Sequence, residues 1–365
     1  MPCFKKTIID IFSGAGGMSV GASMVGFQPT LAIELDKYAA ETYQRNHKNT
    51  KVLQEDITTV KPLEHISSPV FLLFGGPPCQ GFSKANTKTR NLANPNNWMF
   101  KEFVRFTEEL KPEWFVFENV AGFKSFNNGN FAKYVEGQLQ KLGYEISASI
   151  LNAYDFGVPQ KRERYFIIGH RKDCGGIKFQ FNDISTSPKT TIKDAISDLP
   201  SLENGQKSDC LDYKFKSTHP YAKLLRKGAK HALQNYVSRS RDHIIERYKV
   251  ISQGENWRSA QKNGLLTTYS STRNTHDGIY RRLELDKPSN TISNYRKSML
   301  IHPEEHRGLS LREAARIQSF PDEYIFHGSL DSMQQQVGNA VPPLLAKAIF
   351  DQIKQYSILK NENVA

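Results

Sequence analysis

The stretch "IIDIFSGAGGMSVG", residues 8–21, decides the architecture. It reads as a short apolar strand, a glycine-rich turn and the start of a helix. That succession opens a parallel α/β sheet, and the turn is where such sheets bind nucleotide-like ligands. The dinucleotide fingerprint G-x-G-x-x-G is incomplete, because from Gly14 and Gly16 the third position is Ser19. The loop therefore demands no pyrophosphate. It does offer backbone N–H groups at a helix N-terminus, which suits a carboxylate. A glycine turn without a ligand is the competing reading.

Outward from this loop, strand-like runs alternate with amphipathic stretches. The pattern predicts strands at Thr7–Phe12, Leu31–Leu35, Val70–Phe74, Trp114–Phe117, Ser147–Leu151 and Tyr165–Gly169. Helices are expected at Met18–Val25, Lys37–Arg45 and Met99–Leu110, and later over 309–320 and after "VGNAVPP". Near-continuous apolar strands between helices predict a doubly wound, mostly parallel sheet. Glu34 ends the second strand, twenty residues beyond Gly14, where an acid can accept both ribose hydroxyls. Asp56 follows "KVLQEDIT" and could accept from an adenine amine. Solvated acids at strand ends are the alternative for both.

The segment "FGGPPCQGFS" (74–83) carries a lone cysteine behind two prolines at a strand tip. Pro78 fixes its own φ and drives Pro77 towards extended backbone, so Cys79 leaves the strand on a stiffened loop. A small buried residue in an awkward turn is the other reading. "WFVFENV" (114–120) repeats the geometry with Glu118 and Asn119. A carboxyl held close to apolar side chains has a raised pKa and can donate a proton. "QKRERYFIIG" (160–169) supplies Arg162 and Arg164, able to pair with phosphate, with Glu118 or with a carbonyl oxygen.

The 365 residues suffice for two domains, and the net charge is +12. Nineteen Lys/Arg against eight Asp/Glu lie between Lys207 and Lys297, so the excess charge sits in one quarter of the chain. That concentration favours a nucleic-acid partner over a merely solvated surface. There is no apolar run long enough to span a membrane, and no signal-peptide h-region at the N-terminus. A cytoplasmic location is expected. Four scattered cysteines form no C-x-x-C pair. "HPEEH" (302–306) mimics a zinc-ligand spacing, but Pro303 and the lack of an evident third ligand argue against metal. The aromatics Tyr236, Tyr248, Trp257 and Tyr280 interleave with arginines and are read mainly as core.

Taken together, "DIFSGAGG", "GGPPCQGFS", "FENV", "QKRER", "RGLSLREAARIQSFPD" and "VGNAVPP" resemble the ordered motifs of the DNA (cytosine-5)-methyltransferase family, of the bacterial restriction-modification type. The resemblance runs from about residue 7 to 350 and is least over 186–280. It implies S-adenosyl-L-methionine as cofactor, double-stranded DNA as substrate and a flipped-out cytosine. Cys79 matches the nucleophile that adds to C6, and Glu118 the group that engages N3 and the exocyclic amine. Arg164 matches the arginine that holds the base oxygen, with Arg162 as its support. Phe12 matches the aromatic that packs on adenine, while Gly14, Ala15, Gly16 and Gly17 form the loop. Glu34 and Leu35, Asp56 and Ile57, Pro78, and Asn339 with Val341 match further cofactor contacts.

These matches divide the chain into a catalytic domain (1–185), a basic target-recognition domain (186–306), a hinge and connecting helix (307–336) and a returning segment (337–365). A separately acting restriction endonuclease would accompany such an enzyme. A transfer-RNA methyltransferase on the same scaffold is the first rival. A non-catalytic DNA-binding relative is the second.

Overall fold

The computed structural model describes residues 6–78, 98–269, 271–273 and 275–362. The chain divides into two compact units. The first comprises Met1–Ala153, Glu163–Thr186 and Pro343–Ala365, the second Tyr154–Arg162 and Ser187–Pro342. Among the described residues no helix is long and apolar enough to cross a membrane.

The first unit is built on seven strands: β1 (Thr7–Ile11), β2 (Leu31–Ile33), β3 (Lys51–Leu53), β4 (Val70–Gly75), β5 (Trp114–Val120), β6 (Tyr144–Asn152) and β8 (Glu163–Arg171), with the two-residue β7 (Gln160–Lys161) belonging to the second unit. Their order is β3-β2-β1-β4-β5-β8-β6. β1 to β5 pair in parallel, and β8 runs antiparallel to both β5 and β6. The sheet is thus mostly parallel, as the alternating pattern predicts.

Both faces of the sheet are covered, which is why β1 and β4 are buried at every position. Phe100, Phe103 and Phe106 of the helix Phe100–Leu110 pack with Phe115 and Phe117 of β5 in one apolar core. Fully burying such a ring is worth roughly 1.5–3 kcal/mol. Elsewhere in the unit the helix Gly17–Met24 lies against the final helix Pro343–Glu362. A Cβ on Gly21 would fall 2.5 Å from Pro343 O and 2.7 Å from Ala346 Cβ. Glycine there sets how closely the chain's last helix returns to its first.

Three details depart from the sequence reading. β5 continues through Glu118 to Val120 because β8 pairs alongside it, Val120 opposite Arg164. The stretch 307–336 is no separate hinge but falls within the second unit, where Arg307, Arg312 and Arg316 are buried. The return to the first unit begins at Pro343 rather than 337. Gly338 lies inside the helix Leu330–Asn339. A Cβ there would sit 2.0 Å from Ser293 O, so the glycine serves close backbone approach.

The second unit has little regular sheet: the antiparallel pair of β9 (Lys207–Leu211) and β10 (Ala232–Tyr236), and the parallel pair of β7 with β11 (Ser289–Asn290). Buried ion pairs organise the rest. Arg316 meets Asp322 and Asp198, and Arg307 forks onto Glu313, which also closes the capping box of helix Leu311–Ile317 with Ser310. Burial by itself would raise the Glu313 pKa, but the Arg307 guanidinium outweighs it and holds the carboxyl down at about 2. Two of the nineteen basic residues counted above, Arg247 and Arg282, are also buried. Arg282 donates to the carbonyls of Tyr248, Ile251, His302 and Glu305. A guanidinium has five donors in a fixed fork, which suits carbonyls that irregular backbone leaves unpaired.

Candidate active site

Strand order turns scattered motifs into one row. β1 to β5 are parallel, so their C-terminal ends share one edge of the sheet, and β8 starts at that edge. Read along it, the edge presents Asp56, Glu34, the loop Phe12–Gly17, Pro78, Glu118 and Arg164. Chain order reverses between β1 and β4, where open α/β sheets bind their ligands.

On one side of that point the loop is shaped by unusual backbone. Phe12, Gly14 and Gly16 have φ of 55°, 55° and 80°. Gly14 and Gly16 adopt these values without a Cβ penalty, whereas half-buried Phe12 does so as an uncommon non-glycine residue. Among the described residues a Cβ placed on Gly14 would meet nothing within 4 Å. Ala15 and Gly17 are buried. Glu34 is tied to the loop: its Oε2 accepts from Gly14 N at 2.8 Å and its Oε1 from Asp36 N at 2.7 Å. Burial raises its pKa above the usual glutamate value, against the pull of those two N–H groups. Beside it Leu35 is 66% exposed, an apolar side chain with an open face. Asp56 is exposed, and the Thr58 backbone N–H and hydroxyl at 2.9 and 2.8 Å hold its pKa low. Ile57 is buried.

Beyond the reversal, both glycines before the prolines are explained. A Cβ on Gly75 would lie 2.1 Å from Ile11 O, so β1 requires glycine there. A Cβ on Gly76 would lie 2.5 Å from Glu118 Oε2. The carboxylate of one motif thus occupies the space left by the glycine of another. Asn119 Nδ2 donates to Pro77 O at 3.2 Å and pins the loop start. Arg164 Nε lies 2.9 Å from Glu118 Oε1, with both side chains only 11% exposed. Burial lowers the Arg164 pKa, partly offset by the Glu118 charge. Pro78 is exposed, and Cys79 lies outside the described residues.

Arg162 does not join this row. It belongs to the second unit, where its guanidinium donates to Ile292 O at 2.6 Å and Gly338 O at 2.7 Å. Gln160 works beside it, accepting from Ile292 N and donating to Gln318 Oε1. Asn339 and Val341 also lie in the second unit, the former accepting from Gln335 at 2.6 Å. The close approaches at Gly75, Gly76 and Gly338 are features that the sequence reading missed. Among the described residues no cluster of three or more metal-ligating side chains occurs. His302 of "HPEEH" accepts instead from Glu304 N and Glu305 N.

A mostly parallel sheet of this order, with a glycine loop after its first strand, places the chain in the methyltransferase class of α/β enzymes. Residues 6–355 match the C-5 cytosine-specific DNA methylase family, and the chain belongs to that family. It is similar to the Type II methyltransferase M.DdeI of Desulfomicrobium norvegicum, 35% identical over 98% of this chain and 92% of that one. Type II methyltransferase M1.HphI of Haemophilus parahaemolyticus is 37% identical over 96% of this chain and 87% of its own length. The crystal structure of a protein assigned as a DNA modification methyltransferase, encoded within an Escherichia coli prophage, superposes with a TM-score of 0.79 at 26% identity. It covers 96% of this chain and 99% of that one. The chain is a DNA (cytosine-5)-methyltransferase, and its family implies S-adenosylmethionine as methyl donor.

Proposed function

We propose that the row of strand ends is the active site of a sequence-specific modification enzyme, with the cofactor on the β1–β3 side and the flipped cytosine over β4, β5 and β8. The observation that carries this reading is the Glu118–Arg164 pair, packed against Gly76 directly before the Pro-Pro-Cys tip. The residues present fit the cofactor. Glu34 has lone pairs left for ribose hydroxyls, Leu35 offers an open apolar face for a purine, and the space above Gly14 admits a ligand backbone. S-adenosylmethionine, when bound, supplies the methyl group as an activated sulfonium. Phe12, Asp56, Ile57, Pro78, Asn339 and Val341 are the further candidate contacts.

Cys79 as thiolate adds to C6 of the cytosine, which makes C5 nucleophilic. Glu118 engages N3 and the exocyclic amine, while Arg164 braces its Oε1 and faces the base oxygen. Loss of the C5 proton to a base then lets elimination release Cys79. The second unit's exposed lysines and arginines supply phosphate contacts that offset the few kcal/mol of base flipping. Arg162 acts within the second unit as a tether rather than by touching substrate, since its fork is committed to two carbonyls. We place the enzyme in the cytoplasm, protecting DNA from a cognate endonuclease that acts separately.

A duplex with 5-fluorocytosine at the target tests this. It should trap the wild type covalently with cofactor present, because elimination requires a C5 proton. Cys79→Ser should form no adduct and no product, yet bind cofactor. Turnover by that variant would refute the mechanism.

A further inference from the structure

We propose that the turn following the helix Trp257–Lys262 reads base edges of the target site, presented by Asn263 and Thr267 and held rigid by Arg247. The inference rests on the reading of the chain as a DNA-modifying enzyme whose second unit selects the sequence.

Base reading needs donors and acceptors at the surface, held still by packing. Two other stretches of the second unit show what the conditions separate. The stretch 207–230 carries seven Lys/Arg and two Asp, and its exposed lysines suit phosphate contacts that ignore sequence. The strap 289–294 exposes Asn290, Thr291 and Ser293, but its backbone is tied down and Thr291 Oγ1 donates to Lys161 O at 2.8 Å. Ser289 and Asn290 pair with Gln160 and Lys161, Ile292 is held through both backbone groups, and Ser293 O faces Gly338.

Residues 263–269, "NGLLTTY", differ from both. They carry no charge, and Asn263, Thr267 and Thr268 are exposed. Backbone bonds close the turn: Gly264 N to Gln261 O at 2.9 Å, Leu265 N to Ala260 O at 2.9 Å and Tyr269 N to Leu266 O at 3.0 Å. Gly264 takes φ +69°, and among the described residues nothing lies within 4 Å of a Cβ built on it. Beneath lies a separate apolar cluster of Tyr248, Ile251, Trp257, Ala260, Tyr280 and Ile301.

Arg247 rises from that cluster while itself only 1% exposed. It donates to Leu265 O at 2.9 Å, Thr268 Oγ1 at 2.8 Å and Tyr280 Oη at 2.8 Å. As with Arg282, a buried guanidinium on neutral acceptors stiffens irregular backbone, here beneath an exposed, uncharged turn. It fixes the backbone to which Asn263 and Thr267 belong. Asn263 Nδ2 spends one hydrogen on Ser259 O at 2.8 Å, which fixes the amide and leaves its other N–H and Oδ1 to meet adenine bidentately, while threonine offers a hydroxyl to any base and a methyl to thymine. Arg247 acts through the turn and is a positioning residue.

The test is a randomised duplex library methylated by the full-length enzyme and read by bisulfite sequencing. Asn263→Ala or Thr267→Val should relax preference at one base position by on the order of tenfold or more. The 5-fluorocytosine adduct on the preferred site should persist. Arg247→Lys should broaden preference at more than one position while cofactor affinity stays unchanged. Lys223→Ala, by contrast, should weaken all sequences alike. An unchanged profile in both turn variants, or a uniform loss across sequences, overturns the assignment. Absence of methylation by the wild type would instead overturn the functional reading, and the inference with it.

Discussion

Replacing Glu34 with Gln tests the cofactor half of the site at a single atom. The wild-type carboxylate uses both oxygens on the backbone, Oε2 from Gly14 N at 2.8 Å and Oε1 from Asp36 N at 2.7 Å. A glutamine keeps one oxygen and turns its NH2 group towards the other N–H. In the proposed complex one of the two acceptors facing the ribose is lost, and so is the charge-assisted bond that holds the loop in its binding shape. Each is worth about 1.5–3 kcal/mol at most. Partial compensation by water makes roughly 2–4 kcal/mol a fair total, or about a 30- to 1000-fold rise in Kd.

Calorimetry with S-adenosylhomocysteine and no DNA measures this directly. The pH dependence gives a second readout. Burial raises the Glu34 pKa, so the free protein takes up the proton at a higher pH than an ordinary glutamate does. A ligand that needs the carboxylate therefore loses affinity as pH falls through that raised value. Glu34→Gln, with no proton to gain, loses this dependence. Binding by Glu34→Gln within about threefold of wild type would refute the reasoning. So would a flat wild-type profile across an acid range in which the protein stays folded.

Glu118→Gln should slow single-turnover methylation by orders of magnitude with little change in DNA affinity, because its contacts strengthen as charge develops on the ring. Gly76→Ala should likewise cost rate, since its Cβ would displace the Glu118 carboxylate 2.5 Å away, while calorimetry finds cofactor affinity kept. Glu313, held at about 2 by Arg307 although burial opposes it, stabilises the fold above the unfolded glutamate pKa and loses that contribution as pH falls towards 2. The difference is on the order of 3 kcal/mol. Acid unfolding followed by circular dichroism should therefore be less pH-dependent over that window in Glu313→Gln, which should also be less stable at neutral pH.

Much of the site is legible in the chain because each part is encoded by neighbours. A strand, a glycine turn and a helix start follow one another over residues 8–21, and Glu34 and Asp56 fall beyond apolar runs. In a parallel sheet such positions must share an edge, so alternation of strand and helix is enough to gather them. The ordered motifs give the family for the same reason, since they are local strings.

What only the tertiary structure decided depends on groups far apart in sequence. Gly75 answers to Ile11, Gly76 to Glu118 and Gly338 to Ser293, and a glycine in a string does not say which backbone or carboxylate will approach it. Arg162 and Arg164 stand two residues apart in "QKRER", yet one is tethered to carbonyls at 292 and 338 and the other meets Glu118. Arg247 and Arg282 count as positive charge in a composition and as internal scaffolding in the fold. Composition records that a guanidinium is present. Whether it faces phosphate or a buried carbonyl is settled by which backbone groups the folded chain leaves without a partner.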